Sequence, residues 1–436
     1  MAKYKAYPEY KDSDIEWLGK VPSGWLLKKA KYIFQRVQRP LRDIDGVVTA
    51  FRDGQVTLRT NRRTDGFTNS VKEIGYQGVR RNDLVIHAMD GFAGAIGVSD
   101  SDGKCSPVCS VCIPWQNQPL NMRFYGYLVR QLAVTDFILS LAKGIRERST
   151  EFRFSEFSGL MLPIPPIYEQ DQIAKFLDHE TAKIDNLIEK QQQLTELLKE
   201  KRQAVVSHAV TKGLNPDVPM MDSGVEWLGE VPEHWNVSAI KHILINQDSK
   251  RIPLSSEERG TREGEYRYYG ASGVIDYIDD YIFDGPTVLV GEDGANLVAR
   301  NTPLAFSAKG KYWVNNHAHI LKSDDGLVDF WAETIEHIDI NPIVSGSAQP
   351  KLTAEALNNL KITYPSELNE RFNIEVFIST QNKRYHHLIS RADQQIALLQ
   401  ERRTALISAA VTGKIDVRDW VAPDTQEAEE PQEATA

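Results

Sequence analysis

The sequence predicts an α+β protein with an internal, pseudo-twofold duplication: two mixed α/β domains separated by two long, antiparallel, coiled-coil-like helices. Three observations predict this architecture. Two sequence segments are repeated about 200 residues later in the chain. Two long stretches contain no helix-breaking residues, and short apolar runs are bounded by residues typical of turns. The chain has 436 residues, which is too long for one ordinary domain.

The duplication is the strongest of these signals. The repeated segments keep the same order in both halves, which makes chance similarity a poor explanation. They are Asp12–Pro22 with Asp222–Pro232 and Trp25 with Trp235, at an offset of 210 residues, and Leu197–Arg202 with Leu398–Arg403, at an offset of 201. The chain therefore alternates between a variable block and a long helix, twice.

The long helices are predicted over residues 169–210 and 367–411, which would be roughly 63 and 67 Å long. Their heptad spacing predicts a coiled-coil seam. The seam residues are Leu177, Ile184, Gln191, Leu198 and Val205, with Leu187 and Leu194 between them, and Ile378, Tyr385, Ala392, Leu399 and Leu406, with Leu388 between them. A whole domain separates the helices, so we expect antiparallel pairing. The alternative is two partner-binding helices that never meet.

The variable blocks, residues 26–160 and 236–362, are expected to be mixed α/β. Their clearest strands are Asp83–His87, before Asp90-Gly91, and Thr287–Val290, before Asp293-Gly294. The predicted boundaries are residues 1–162 and 215–363 for the two domains, 163–214 and 364–422 for the helical segments, and 423–436 for an acidic, disordered tail.

Charge is unevenly distributed along a chain whose net charge is −9. Residues 1–150 carry 23 Lys and Arg against 15 Asp and Glu, a net charge of +8, whereas residues 216–365 carry 12 against 23, a net charge of −11. A basic first domain suits contact with a phosphate backbone. A solvated helix face would explain the same charge. The clearest basic run is Lys28, Lys29, Lys31, Arg36, Arg39 and Arg42.

Composition indicates a soluble protein from a reducing compartment. The chain has three cysteines, no apolar run near the ~18 residues of a membrane helix, and no apolar secretory segment at its start. We therefore expect a cytoplasmic protein without membrane contact.

Nucleotide-binding and catalytic motifs are not recognisable in the sequence. The spacing within Gly91–Gly97 favours a β-turn over a phosphate loop. Neither a Walker A loop nor the Asn/Asp-Pro-Pro-aromatic segment of amino-methyltransferases occurs.

Two short clusters could bind metal, but other roles are favoured. Cys105, Cys109 and Cys112 lie within eight residues, and on a strand Cys109 and Cys112 would face opposite sides. Structural thiols are therefore favoured over a zinc site. His317 and His319 would share one strand face, where DNA contact or packing is favoured over metal chelation.

Polar, basic segments remain as candidates for contact with DNA. Arg can bind guanine bidentately, Asn can bind adenine, and Lys neutralises phosphates. At each position a solvated loop charge is the alternative. The candidate DNA-binding residues are Arg52, Arg59, Asn61, Arg62, Arg63, Lys143, Arg146 and Arg148 in the first block, and Lys309, Lys311, His317, Gln349 and Lys351 in the second.

Together these segments resemble the specificity (S) subunit of type I restriction-modification systems, the HsdS family. The repeated Asp-Ser-x-(Ile/Val)-Glu-Trp-Leu-Gly-x-Val-Pro-x-x-Trp segment is similar to the stretch before each target recognition domain of that family. Leu162–Pro166 resembles the approach to the first conserved helix, and Gly346–Lys351 resembles the end of the second recognition domain. The chain departs from the pattern at Asn369–Phe372, which stands where the first copy has Glu169–Gln172.

The resemblance implies a non-catalytic subunit of a DNA adenine methyltransferase and type I endonuclease complex that acts in phage defence. Each recognition domain would read one half of a bipartite, asymmetric site in double-stranded DNA, and the helices would set the spacing. Two methyltransferase subunits, which bind S-adenosylmethionine, would dock on it, and two restriction subunits, which use ATP and Mg, could join. The S chain itself would bind no cofactor.

Two other classes of protein stay open on the residues alone. A nuclease with an unrecognised site predicts a carboxylate or metal cluster in the blocks. A stand-alone coiled-coil adaptor would not need two large, divergent α/β blocks.

Overall fold

The computed structural model describes residues 4–62, 74–116, 118–135, 137–138, 151–225, 228–346 and 349–423. The chain divides into two compact units. Residues 1–191 and 395–436 form the first unit, and residues 192–394 form the second. Each unit contains one mixed α/β domain and one half of each long helix.

Among its described residues, the first unit contains short strands, two short helices, the start of one long helix and the end of the other. The strands are β1 (Tyr10–Asp12), β2 (Lys20–Pro22), β3 (Leu26–Lys29), β4 (Phe34–Val37), β5 (Val48–Ala50), β6 (Val56–Leu58), β7 (Gln77–Val79), β8 (Leu84–His87), β9 (Ile96–Val98), β10 (Gly103–Cys105), β11 (Cys109–Pro114) and β12 (Met161–Ile164). The helices are α1 (Met122–Val134), α2 (Phe154–Gly159) and α3 (Ile167–Lys212).

An antiparallel sheet in the order β4-β11-β8-β9 forms the centre of the first domain. Alternate residues of β8 face opposite sides, as expected for a strand buried on both faces. Leu84 and Ile86 pack into the core that contains α1, whereas Val85 packs into a smaller core. Asn121 caps α1, since its side chain accepts the backbone N–H of Phe124 at 3.1 Å.

The second unit repeats this arrangement. Its strands are β13 (Met220–Asp222), β14 (Glu230–Pro232), β15 (Trp235–Ala239), β16 (Leu244–Asn246), β17 (Glu263–Gly270), β18 (Gly273–Ile278), β19 (Phe283–Asp284), β20 (Thr287–Gly291), β21 (Ala305–Ala308), β22 (Lys311–Val314), β23 (Ala318–Ser323) and β24 (Lys361–Pro365). Its helices are α4 (Ser256–Gly260), α5 (Asn296–Ala299), α6 (Val328–Glu336), α7 (Ala354–Asn359) and α8 (Leu368–Val411).

The central sheet of the second domain has the order β16-β23-β20-β21, which matches the first. Val288 and Val290 of β20 face the core that contains α6, and Leu289 faces a smaller core. The strands predicted at Asp83–His87 and Thr287–Val290 are therefore confirmed as β8 and β20. A further sheet, β18-β17-β22-β19, lies beside the smaller core of the second domain.

The long helices α3 and α8 agree with the predicted spans to within two residues. In the first unit, Asp185 of α3 accepts hydrogen bonds from Arg403 of α8 at 2.8 and 3.2 Å. In the second unit, Arg202 of α3 donates to Asn382 of α8 at 3.2 Å. The partner on α8 moves from residue 403 to residue 382 as the position on α3 moves from 185 to 202. The helices therefore pair antiparallel, as predicted.

Part of the predicted seam is wrong. Leu187 and Leu194 were expected between the main seam positions, but their exposed fractions are 42% and 43%. Ile188, one residue after Leu187, packs against the core of the first unit instead, and Thr195, one residue after Leu194, is 7% exposed. A seam alternates steps of three and four residues, and here the four-residue step follows Ile184 and Gln191. A polar threonine at a buried position and leucines at exposed positions hid this register in the sequence.

The repeated tryptophan closes the first unit. Trp25 is fully buried and donates its indole N–H to Glu169, near the start of α3, at 2.8 Å. Gly413, just after α8, has a φ of 72°, and a Cβ there would lie 2.4 Å from Pro22 and 3.0 Å from the Trp25 ring. A glycine is therefore required at this helix end.

The second unit has the same closure. Trp235 donates to Glu370, near the start of α8, at 3.0 Å. Gly213, just after α3, has a φ of 83°, and a Cβ there would lie 3.3 Å from the Trp235 ring. Glu370 is thus the counterpart of Glu169, whereas the segment comparison had placed Asn369 opposite Glu169.

Candidate nucleic-acid interface

In the first domain, Arg52 lies against the turn that follows β8, residues 88–91, which we call the β8 turn. Arg52 donates to Asp90 at 2.7 Å, and the Arg52 side chain is 70% exposed. The backbone N–H of Asp90 donates to Nδ1 of His87 at 3.0 Å. Burial lowers the pKa of His87, which keeps this ring neutral and Nδ1 available as an acceptor. The turn therefore presents an anchored guanidinium to solvent.

Three other predicted residues of the first block surround the β5–β6 hairpin. Their contacts are Arg59 Nε to Thr49 Oγ1 at 2.9 Å, Asn61 Nδ2 to Thr57 Oγ1 at 2.8 Å, and Arg62 Nη1 to Asp53 Oδ2 at 2.7 Å. The Arg62 guanidinium also lies 4.3 Å from the centre of the Phe51 ring. These contacts order the side chains before any ligand arrives. Arg63, Lys143, Arg146 and Arg148 lie outside the described residues.

Part of the basic run in the first block is neutralised within the fold. Arg39 pairs with Asp83, and Arg42 pairs with Asp45 at 2.8 Å and with Asp102 at 3.0 Å. Burial would raise the pKa of Asp45, but hydrogen bonds from Arg42 hold that pKa below its ordinary value. The run forms strands and turns, so the alternative of a solvated helix face is wrong.

In the second domain, two predicted residues meet at the turn after β20, residues 292–294, which we call the β20 turn. The Lys351 ammonium lies 3.3 Å from a carboxylate oxygen of Glu292, and its side chain is 52% exposed. Nδ1 of His317 lies 2.8 Å from Asp293, and the His317 side chain is 47% exposed. The β20 turn thus gathers two polar groups that are separated by more than thirty residues of sequence.

The segment before Lys351 forms a tight loop over the β20 turn. Ser345 and Lys351 exchange two backbone hydrogen bonds at 2.9 and 2.7 Å, and the N–H of Gly294 donates to Pro350 at 3.0 Å. Gly346 has a φ of 85°, and a Cβ there would lie 2.5 Å from the carbonyl of Gln349. This loop requires glycine at that position. It places Gln349, another predicted residue, at the surface.

The β8 and β20 turns occupy equivalent positions. The N–H of Phe152 donates to the carbonyl of Ala88 at 2.8 Å, and the N–H of Leu352 donates to that of Glu292 at 2.8 Å. In both domains, the chain that leads into α2 or α7 therefore crosses the turn at the end of the central strand.

The other two predicted residues of the second block lie at the β21–β22 connection. Lys309 pairs with Asp329, in the first turn of α6, at 2.6 Å. The Lys311 ammonium lies 4.4 Å from the centre of the Tyr281 ring, and a hydrogen bond with Tyr281 raises the pKa of Lys311. The structure brings His317, Gln349 and Lys351 together and places Lys309 and Lys311 elsewhere.

The cysteines are buried, free thiols. Cys109 and Cys112 of β11 face different cores, as alternation along a strand predicts, and Cys105 packs with Cys109. Within the described parts of the chain, no cluster of three or more His, Cys, Asp or Glu could hold a metal ion. The Gly-rich segment forms a short 3-10 turn, Gly91–Ala93, between β8 and β9.

Sequence reasoning missed the acidic and buried partners of these residues. Asp90 and Asp293 entered only as markers of turns, although both belong to corresponding Asp-Gly pairs. That correspondence was the available signal, since an Asp kept at one end of a strand in both copies can anchor a cation. His319 was singled out only as the neighbour of His317 on a strand, and the buried residues Asp248 and Arg251 gave no signal.

The fold and the site thus define a duplicated protein, in which each of two equivalent domains exposes an anchored polar or cationic group at the same turn. No helix among the described residues is long and apolar enough to cross a membrane.

Comparison with known proteins identifies its relatives. Residues 232–407 match the model of the type I restriction modification DNA specificity domain. The MjaVIII type I restriction enzyme specificity subunit of Methanocaldococcus jannaschii is 24% identical over 285 residues, which is 60% of this chain and 64% of that one. The EcoBI specificity subunit of Escherichia coli is 30% identical over 175 residues, which is 38% of this chain and 34% of that one. The matches thus span less than two thirds of either relative.

Solved structures share the fold. A chain from a study of assembly and conformational transition in a type I R-M system superposes with a TM-score of 0.69 at 13% identity, covering 91% of this chain and 99% of that one. The HsdS subunit of Thermoanaerobacter tengcongensis gives 0.51 at 15% identity, covering 93% and 100%. Over residues 232–407 the chain is therefore similar to the specificity domain of type I restriction-modification systems, and its fold is that of the solved HsdS chain.

Proposed function

We propose that this chain is the DNA sequence-specificity subunit of a type I restriction-modification complex. Each domain reads one half of a bipartite, asymmetric site, and the paired helices set the distance between the two halves. The observation that carries the proposal is the duplicated site. An exposed arginine in the first domain, and an exposed histidine and lysine in the second, lie at the turn after the central strand, where they could contact phosphates and base edges.

The proposed division of labour leaves the chemistry to partners. Two methyltransferase subunits with bound S-adenosylmethionine modify adenine, and two restriction subunits that use ATP and Mg can join the complex. The chain itself is non-catalytic, binds no cofactor and acts in the cytoplasm. Its partners also contribute cations, which complement an acidic second domain.

The test is co-expression of the chain with the proteins encoded beside it, followed by co-purification and methylome sequencing. We expect a stable complex that methylates one bipartite motif and an isolated chain that neither methylates nor cleaves DNA. Cleavage by the rigorously purified chain would instead identify a nuclease. Co-purification without any effect on which sites are methylated would identify a coiled-coil adaptor.

A further inference from the structure

We infer that Asp248, Arg251 and His319 are positioning residues for the second half-site: they hold the β20 turn, and through it Lys351, in register with DNA. This inference rests on the proposed function. It adds a buried ionic group, which we call the ionic hub, as a determinant of what the second domain reads.

The ionic hub lies beneath the β20 turn. Arg251 donates to Glu292 at 2.6 Å and to the carbonyl of Ala318 at 2.9 Å. Nδ1 of His319 lies 2.6 Å from Asp248 and 3.8 Å from Glu292. His319 is 1% exposed, and the side chains of Asp248, Glu292 and Arg251 are 12%, 12% and 16% exposed. The hub is therefore almost entirely removed from water.

His319 connects the hub directly to the loop that carries Lys351. Its Nδ1 faces Asp248, and its Nε2 lies 2.9 Å from the carbonyl of Leu352. Both partners accept hydrogen bonds, so only a doubly protonated ring can donate to both. The same Leu352 donates its N–H to the carbonyl of Glu292. A shift of His319 must therefore move the residue that follows Lys351.

Charge within the hub fixes Glu292, the residue that holds Lys351. Burial would raise the pKa of Glu292, but the hydrogen bond from Arg251 and the charge of His319 hold it below its ordinary value. Glu292 consequently stays ionised and keeps the Lys351 ammonium at 3.3 Å. An uncompensated charge in this site would be costly, so the geometry has little freedom.

The first domain lacks these groups at the matching positions. His319 pairs with Val290 on β20, and its counterpart Ser110 pairs with Ile86 on β8. By the same strand register, Gln38 corresponds to Asp248. Ala88 takes the place of Glu292, as the backbone hydrogen bonds of the two turns show. The chain therefore contains its own control, a domain with the same fold but without the hub.

The experiment uses the co-purified methyltransferase complex and measures methylation rates on duplexes with each position of either half-site substituted singly. We expect D248N and H319Q to slow methylation of the native site about tenfold or more, because each disturbs a charged hydrogen bond in a buried network. They should also reduce discrimination at second-half positions and leave first-half discrimination unchanged. K351Q should show the same pattern, and adding H319Q to K351Q should reduce discrimination little further.

Two matched variants serve as controls. S110A alters the residue equivalent to His319 in the first domain, and D279N removes a carboxylate from an exposed pair with Arg262. Both should keep wild-type discrimination at second-half positions. Thermal unfolding and co-purification establish which variants fold.

The outcomes separate the inference from the proposed function. A folded hub variant that loses discrimination equally in both halves, or in neither, overturns the positioning role. If the hub variants do not fold, the K351Q variant tests the inference instead. Unchanged discrimination at second-half positions in K351Q would mean that the residue held by the hub does not read DNA, and it would overturn the positioning role. A wild-type complex that methylates no bipartite site would instead reject the proposed function itself.

Discussion

Replacing the glutamate beneath each repeated tryptophan should destabilise the two units unequally. Glu169 is 5% exposed and accepts hydrogen bonds from Trp25 at 2.8 Å and Tyr7 at 3.0 Å. The E169A substitution removes this acceptor and leaves both donors buried, since Trp25 is 0% and Tyr7 is 6% exposed. A stranded buried donor costs about 1–3 kcal/mol, so we expect a loss of roughly 2–6 kcal/mol in the free energy of unfolding.

The matched variant E370A should cost less. Glu370 accepts from Trp235 at 3.0 Å and contacts His234 at 2.9 Å, but the side chains of Glu370 and His234 are 29% and 42% exposed. Water can replace the partner of His234, so one buried donor remains stranded, at a cost of about 1–3 kcal/mol.

The assay is urea unfolding of the purified subunit combined with hydrogen-exchange mass spectrometry, which reports on peptides of each unit separately. Protection should fall mainly in the first unit for E169A and mainly in the second for E370A. The conservative variant E169Q keeps an acceptor oxygen and should recover part of the loss. An equal or larger loss in E370A would refute the argument from buried donors.

Three further predictions concern the helices, the domains and acid stability. A four-residue insertion near Gln191 adds about one helical turn, roughly 6 Å, so methylome sequencing should show a gap longer by about one or two base pairs. An unchanged gap in a folded, active variant contradicts the spacer role. Exchanging residues 26–160 for those of a relative should alter one half of the methylated motif, and a change in both halves would reject independent reading. Burial would raise the pKa of Asp248 and of Glu292, but their ionic partners hold both values below the ordinary range. Their contribution to stability should therefore be complete above about pH 5 and fade as the pH falls below about 4, through the lowered pKa values. Acid unfolding followed by circular dichroism should be less steep in D248N, and an identical slope would contradict this.

The sequence predicted the duplication, the central strands and the antiparallel helices, because each depends on local pattern or on direct repetition. The register of the seam between the long helices was harder to predict. Ile188 and Thr195 point inward where apolar periodicity assigns Leu187 and Leu194, and only packing reveals this. The pairing of Glu370 with Trp235 likewise corrected a segment comparison by one residue.

The candidate interface was predictable only in part. Exposed Arg and Lys in turn-rich segments are visible in a sequence, and Arg52, His317 and Lys351 do lie at equivalent turns. Long-range strand pairing decides which cations meet at the β20 turn. The sequence alone therefore could not show that Lys351 lies at this turn and that Lys309 does not. The hub residues Asp248 and His319 are 71 residues apart and resemble ordinary loop and strand residues until the fold joins them.

The composition of the two units has a consequence for biosynthesis. Every residue of the second unit has been synthesised once residue 394 is added, whereas the first unit also requires residues 395–436. Leu406, Val411 and Val417 belong to the same core as Trp25. On a translating ribosome the second unit can therefore complete its core first, although the first unit begins the chain. The apolar surface around Trp25 therefore stays uncovered until these later residues have been synthesised, which exposes the amino-terminal domain to aggregation or chaperone binding.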